Sequence, residues 1–325
     1  MRVDNPVAHT TPGTRDLAPR VCVVGNAALD LSLRVERLPV AGETSLAIGT
    51  LYDLGGKGAN QAVVTARAGT PTQLFAAIGQ DAEGDRIVAQ LSAEGIDTSH
   101  MMRVPYPSDL SIITVDARGE NTIVTRNEAA AHYHPEPHSI VDATRAGDWI
   151  ALQGNLSADF TAQMLRAARL GARRTLLNPG PVGFDCVPLL GDVDVLVVNR
   201  VEAAALSAHD DPARAAKALQ HAGAREVCVT LGAQGVLWRN GRATQHLPAM
   251  PAEAIDTVGA GDAFCGTLLA AFSDNLAMPL ALRWAQVVAA IVVTRRGAQA
   301  SFPDRAAMRE LLLSVPPLVS PTQVR

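Results

Sequence analysis

Aromatic side chains are scarce: Phe, Trp and Tyr together supply 4% of the 325 residues. Ala, Val and Leu must fill the interior instead, and a hydrophobic share of 48% leaves enough of them for a sizeable core. With 18% charged residues, that share excludes global disorder. Long basic runs are missing and the net charge is -4, so no nucleic-acid footprint is visible. An anionic substrate stays open, because glycine loops bind phosphate whatever the net charge. Cysteine is sparse too. Cys22, Cys186, Cys228 and Cys265 form no CxxC pair and lie in or beside apolar sequence, which reads as buried free thiols in a reducing compartment. Residues 1–19 lack the apolar core of a signal peptide and read as a mobile tail. The longest apolar run, residues 284–293, is too short to span a bilayer and reads as a buried helix. Together these absences predict a cytoplasmic protein with no membrane and no nucleic-acid partner.

What is present is a β–α alternation. The length fits two small domains or one large α/β domain with an appendage. Residues 20–35 open as a continuous apolar run, the mark of a parallel strand buried on both faces, and then alternate polar with apolar. Residues 56–69 read as a glycine-rich turn feeding a helix, 72–79 as one buried strand, and 81–95 as a helix with an acidic first turn. Further strands are predicted near 148–154, 174–180, 193–199 and 226–232, and helices near 157–170, 212–222, 262–273 and 279–294. Repeated β–α units imply a mostly parallel central sheet flanked by helices. Two β-rich stretches, about 31–52 and 108–126, have no helix to cover them. They read as a small separate sheet, a lid over an α/β core spanning 20–312, with a second tail at 313–325.

Ligands of an open parallel sheet bind beyond the carboxyl ends of its strands. Four loops fall there: GGKGAN (55–60), NRVE (199–202), TLGAQG (230–235) and DTVGAGD (256–262). Two nucleotide motifs are absent. A P-loop would need glycine where Leu51 stands and Ser or Thr where Gly58 stands, and GNAALD at 25–30 is not a dinucleotide-binding fingerprint. The last loop carries the sharpest chemistry. Consecutive amides of Gly259, Ala260 and Gly261 at a helix start make an anion site. Asp262 directly after it suits a general base that takes a proton from an attacking hydroxyl while the amides hold phosphoryl charge. The competing reading is a helix cap with a tight glycine turn.

GGKGANQA, NPGP, NRVE, TLGAQG, DTVGAGDAF and VTRRGAQAS occur in order between about 20 and 305. In this the sequence resembles the ribokinase family of sugar kinases, the PfkB group. The resemblance implies a ribokinase-like α/β fold with a β-sheet lid and a cytoplasmic enzyme that pairs as a homodimer through that lid. It makes Asp262 the catalytic base and the amides of Gly259, Ala260 and Gly261 the anion hole. It assigns sugar hydroxyls to Asp30, Gly56, Lys57 and Asn60. It gives Asn199 and Glu202 to magnesium and phosphate through water, and Thr230, Gly232, Gly235 and Gln286 to ATP. The reading of Asn199 and Glu202 from residues alone is a helix start with an acid in its first turn. A monovalent cation, K⁺, is implied at Asp256, the carbonyls of Val258, Val292, Arg295 and Gly297, and the Ser301 hydroxyl; the alternative is that Asp256 pairs with Arg295 or Arg296.

The sequence departs from the family at the sugar. Ala28 stands where an asparagine is usual, Asn155 where a glutamate is, Asp109 where a lid glycine is, and Glu128 near another glycine; Arg126 is unusual. A lost amide, a lost acid and new charges change which hydroxyls are satisfied. The expected activity is ATP- and Mg²⁺-dependent phosphorylation of a primary hydroxyl on a furanose-type sugar, D-ribose first. A kinase of another sugar, a sugar acid or a nucleoside is the alternative. A non-catalytic sensor is the rival of a different class, and it has no use for Asp262.

Overall fold

The computed structural model describes residues 20–118 and 120–316. The tail expected at 1–19, and most of that expected at 313–325, lie outside the described residues. In chain order the first half holds β1 (Val21–Val24), β2 (Ala28–Arg34), β3 (Gly49–Gly55), α1 (Lys57–Arg67), β4 (Thr72–Phe75), β5 (Ala77–Gly79) and α2 (Ala82–Ala93). Then come β6 (Met102–Val104), β7 (Asp109–Val115), β8 (Asn121–Arg126), α3 (Glu128–Ala131) and α4 (Pro137–Asp142). The second half holds β9 (Trp149–Gln153), α5 (Ala158–Leu170), β10 (Arg174–Asn178), β11 (Val195–Asn199), α6 (Arg200–Ser207), α7 (Pro212–His221) and β12 (Glu226–Thr230). The chain continues through β13 (Val236–Asn240), β14 (Ala243–Leu247), α8 (Ala260–Ser273), α9 (Met278–Val292) and α10 (Arg305–Ser314), so the last helix runs two residues past the expected core boundary.

The main sheet has the order β14-β13-β12-β11-β10-β9-β1-β4, parallel from β12 to β4 and antiparallel at β13 and β14. Its two faces carry separate apolar clusters. Val21 and Val23 of β1 join α1, α8 and α9 on one face, while Cys22 and Val24 join α5 and α7 on the other. Side chains alternate across a strand, so VCVV must be apolar throughout to serve both faces. All four cysteines are free and buried, and burial raises each thiol well above its ordinary range.

A second sheet, β3-β2-β7-β8, stands apart. Its first two strands start at Ala28 and end at Gly55, wider than the expected 31–52, so Asp30 sits inside this sheet, and residues 35–48 carry no strand. Residues 72–79, expected as one strand, are two. The chain leaves the main sheet at Ala76, and β5 pairs in parallel with β6. Every position there is buried, so hydrophobicity gave no sign of the transfer. The β13–β14 hairpin was not read from the sequence, although Gly241-Arg242 between two β-prone runs is a Gly-X pair suited to a two-residue turn, and Gly241 takes a φ of 56° there. Among the described residues no helix is long and apolar enough to cross a membrane.

Candidate active site

The site forms where α1 and α8 start side by side at the carboxyl edge of the main sheet. Gly259 precedes α8 with a left-handed φ of 78°, and a Cβ there would fall 2.8 Å from the Phe302 ring. Only glycine meets both demands. The amides of Gly259 and Gly261 have no backbone acceptor among the described residues, whereas Ala260 donates to the Thr257 carbonyl at 3.3 Å. The anion hole expected from three amides therefore has two unengaged ones, with the third closing the turn.

Asp262 lies in the first turn of α8 and is 6% exposed. It sits in a polar nest. Asn60 Nδ2 donates to Oδ2 at 3.0 Å, Gln61 Nε2 donates to Oδ1 at 3.3 Å, and Lys57 Nζ is 3.6 Å from Oδ1. Asn60 and Lys57, expected at sugar hydroxyls, thus meet Asp262 directly. Both come from the first turn of α1, which Gly56 enters with a φ of 89°. Gln61 was missed at the sequence level, and so were its partners Gln153 and Asn178 and the Asn60 partner Gln299. Each stands in or next to a motif, but a glutamine in a helix reads as generic polar surface.

Next to the Gly261 amide lies a cavity of 430 Å³, lined among others by Thr230, Gly232, Gly235, Ala260, Gly261 and Gln286. The four residues expected at ATP all border it. Gln286 Nε2 donates to the carbonyls of Leu247 and Pro248 at 2.9 and 3.0 Å, so its amide holds the end of β14, and only its buried Oε1 lacks a partner. Asn199 and Glu202 form a reciprocal capping box at the start of α6: Asn199 Oδ1 accepts from Glu202 N at 2.8 Å and Glu202 Oε2 accepts from Asn199 N at 2.9 Å. This is the geometry of the helix-start reading, and it leaves Glu202 Oε1 against the Cα of Gly180.

On the sugar side, the strand register puts Asp30, Asp53, Asp109 and Ser111 on one face of the small sheet. Asp30 presses against Gly55, where any Cβ would meet its carboxyl. Burial raises the carboxyls of Asp30 and Asp53, and burial pushes Asp109 up to about 6. Asp109 Oδ1 accepts from Ala130 N at 3.2 Å, while its buried Oδ2 has no partner. Neither polar atom of the Asn155 amide has a partner, although both are buried. Arg126 donates twice to the Ser108 carbonyl, at 3.1 and 2.8 Å, so its guanidinium is not held out for a substrate anion. Glu128 begins α3.

Beside the α8 turn, Asp256 accepts from Val258 N at 3.0 Å and from Gly297 N at 2.9 Å. It makes no ion pair with Arg295 or Arg296 among the described residues, and Arg295 donates instead to the Ser301 carbonyl at 3.3 Å. The buried Ser301 hydroxyl donates to the Ala298 carbonyl at 2.6 Å, and Val292 is fully buried. The loops 256–258 and 295–301 are thereby joined through one carboxylate.

An oriented carboxylate, unengaged amides at a helix start and a cavity beyond them are the parts of a phosphoryl-transfer site. The sequence signature of the pfkB family carbohydrate kinases matches residues 18–305. The chain is 30% identical to the ribokinase of Haemophilus influenzae over 297 residues, 89% of this chain and 97% of that one. It is 29% identical to the deoxyribokinase of Salmonella typhimurium over 310 residues, 90% of this chain and 98% of that one. The structure of Arabidopsis thaliana ribokinase complexed with ribose and ATP superposes with a TM-score of 0.82 at 28% identity, covering 91% of this chain and 99% of that one. Fold and site thus define a sugar phosphotransferase. The chain belongs to the pfkB family of carbohydrate kinases, in its ribokinase-like branch.

Proposed function

We propose that this kinase transfers the γ-phosphoryl group of ATP to a primary hydroxyl of a furanose-type sugar, with D-ribose the first candidate. The observation that carries the reading is the carboxylate of Asp262 directly after the Gly259 and Gly261 amides, of which Gly261 lines the cavity, and in contact with Lys57 and Asn60. Asp262 removes the hydroxyl proton as the oxygen attacks, and the two amides meet the charge on the phosphoryl oxygens. Lys57 and Asn60 hold the sugar and Asp262 in one frame, and Asp30 and Gly56 receive further hydroxyls. ATP lies along Thr230, Gly232 and Gly235. Bound Mg²⁺ neutralises phosphate charge. Asn199 and Glu202 offer it hard oxygens at an accessible helix start and would hold it through water. A bound K⁺ would brace the α8 turn. Asp256, the carbonyls of Val258, Val292, Arg295 and Gly297, and Ser301 are an all-oxygen donor set that fits such an ion, though both Asp256 oxygens already accept amide bonds. The four reduced thiols fit a cytoplasmic enzyme.

A second reading, a different neutral sugar on the same scaffold, is favoured by the orphaned polar atoms of Asp109 and Asn155. They select whichever sugar satisfies them. Sugar acids fit less well, since three carboxylates share the sheet face and Arg126 is engaged. A coupled ADP-release assay over pentoses, deoxypentoses, ketohexoses, sugar acids and nucleosides, repeated with K⁺ replaced by Na⁺ at constant ionic strength, tests the reading. D-ribose is expected to give the highest kcat/KM and Na⁺ to lower it. Ligand binding without turnover on any of them would mean a sensor instead.

A further inference from the structure

Asp262 is the end point of a buried chain of amides whose direction is fixed at its far end. Asn178 Nδ2 donates to the Val197 carbonyl at 2.9 Å, which turns Asn178 Oδ1 toward Gln61. Gln61 Nε2 lies 3.4 Å from that oxygen and 3.3 Å from Asp262 Oδ1. Gln61 Oε1 accepts from Gln153 Nε2 at 3.0 Å. A flipped Gln61 would set its oxygen against two acceptors and its NH₂ against a donor, so the network admits one orientation. Gln61 and Gln153 are both 0% exposed, which removes water as a substitute partner. Gly25 makes the room: a Cβ there would collide with Gln153 Oε1. On the other carboxylate oxygen the logic repeats. Gln299 Nε2 donates to Asn60 Oδ1 at 3.2 Å, so Asn60 can turn only its NH₂ to Asp262 Oδ2.

We infer that Gln61, held by Gln153 and Asn178, is a positioning residue that sets the plane of the Asp262 carboxylate. This rests on the reading of Asp262 as the base. A base must present a lone pair along the line of proton transfer, and small errors in that aim cost rate, not affinity. Lys57 and Asn60 lie in the path of the sugar and can be drawn to it. Gln61 is walled in on every side, so it keeps its bond to Asp262 Oδ1 when the others exchange partners.

The test uses steady-state kinetics on the full chain with ATP and the best sugar of the panel. Gln61→Met keeps the volume and removes the donor. It is expected to lower kcat about tenfold to a hundredfold, with the KM values for sugar and ATP within about threefold of the parent. Gln153→Met, which leaves Gln61 free to turn, is expected to lower kcat by less, in the same direction, and carries the test if Gln61→Met does not fold. In an Asp262→Asn background, measured by single turnover at high enzyme concentration, Gln61→Met is expected to have no further effect, because there is no base left to aim. Parental kcat in both glutamine variants overturns the inference. So does a loss confined to KM, or an equal fold-loss with and without Asp262. Full activity of Asp262→Asn alone would instead overturn the base assignment, which separates the two failures.

Discussion

Asp262 and Asp109 are both buried carboxylates, and their surroundings differ. Asp262 has three donors around it, whereas Asp109 has one oxygen bonded to Ala130 N and one with no partner. Replacing Asp262 by Asn removes a base worth roughly 10²–10⁴ in rate. Under the proposed mechanism kcat is expected to fall by that order while the affinity for ATP, measured by calorimetry, stays within about threefold. Asp109 affects stability through its titration. Its folded carboxyl, pushed up to about 6 by burial, binds a proton more tightly than the ordinary group at 3.8. The folded state therefore loses stability as pH rises through the interval from the lower value to the higher, and loses no more above it. Asp109→Asn keeps an acceptor for Ala130 and removes the buried charge. It is expected to stabilise the protein by on the order of 1–3 kcal/mol at pH 8, with the gain vanishing near pH 4, as read by urea unfolding at both pH values. An equal effect at both would mean the carboxylate is solvated. At this scale the sequence singled out Asp262, Lys57 and Asn60 from short motifs, and the fold brings these three side chains together. It was silent on Gln61 and Gln153, whose meaning comes from partners on other elements.

Helix starts are the elements that build this site. The α6 start is fixed by the Asn199–Glu202 box, in which each residue accepts the other's backbone N–H. Asn199→Ala is expected to cost about 1 kcal/mol by thermal or urea unfolding, and a cost near zero would show that water replaces the cap. The α8 start depends on Gly259, since Phe302 packs where a side chain would stand. Elements of this kind were readable, because cap residues and glycines mark their own positions in the chain. Elements without such marks were not. β4 and β5 share one apolar run, and the turn between them follows from which neighbour each strand finds. The same holds for the upper boundary of the small sheet: Ala28 and Gly55 look like ends of the core but pair with each other as strand residues.

At the scale of the whole molecule the small sheet leaves large apolar side chains uncovered. Ile113 and Ile123 lie side by side, Leu51 stands on the same face across Ser32, and Leu51 and Ile123 are 57% and 56% exposed. Exposed apolar side chains on this face favour a second copy of the chain, in keeping with the proposed homodimer. Ile123→Asp is expected to shift the protein from dimer to monomer in sedimentation velocity at micromolar concentration. A monomeric parent protein would remove the dimer from the proposal.

The chain alone determined where its glycine turns at helix starts lie and that Asp262 follows one of them, because backbone N–H groups and the side chain after them are set by local sequence. It determined the parallel sheet as well, since strands buried on both faces must be apolar throughout. Which donor meets which oxygen of Asp262 was decided only by the fold. Gln61 and Asp262 are 201 residues apart, and the packing of α1 against α8 brings their polar atoms together. Hydrogen bonding acts over about 3 Å, a distance that sequence spacing does not encode once two elements are joined through the core.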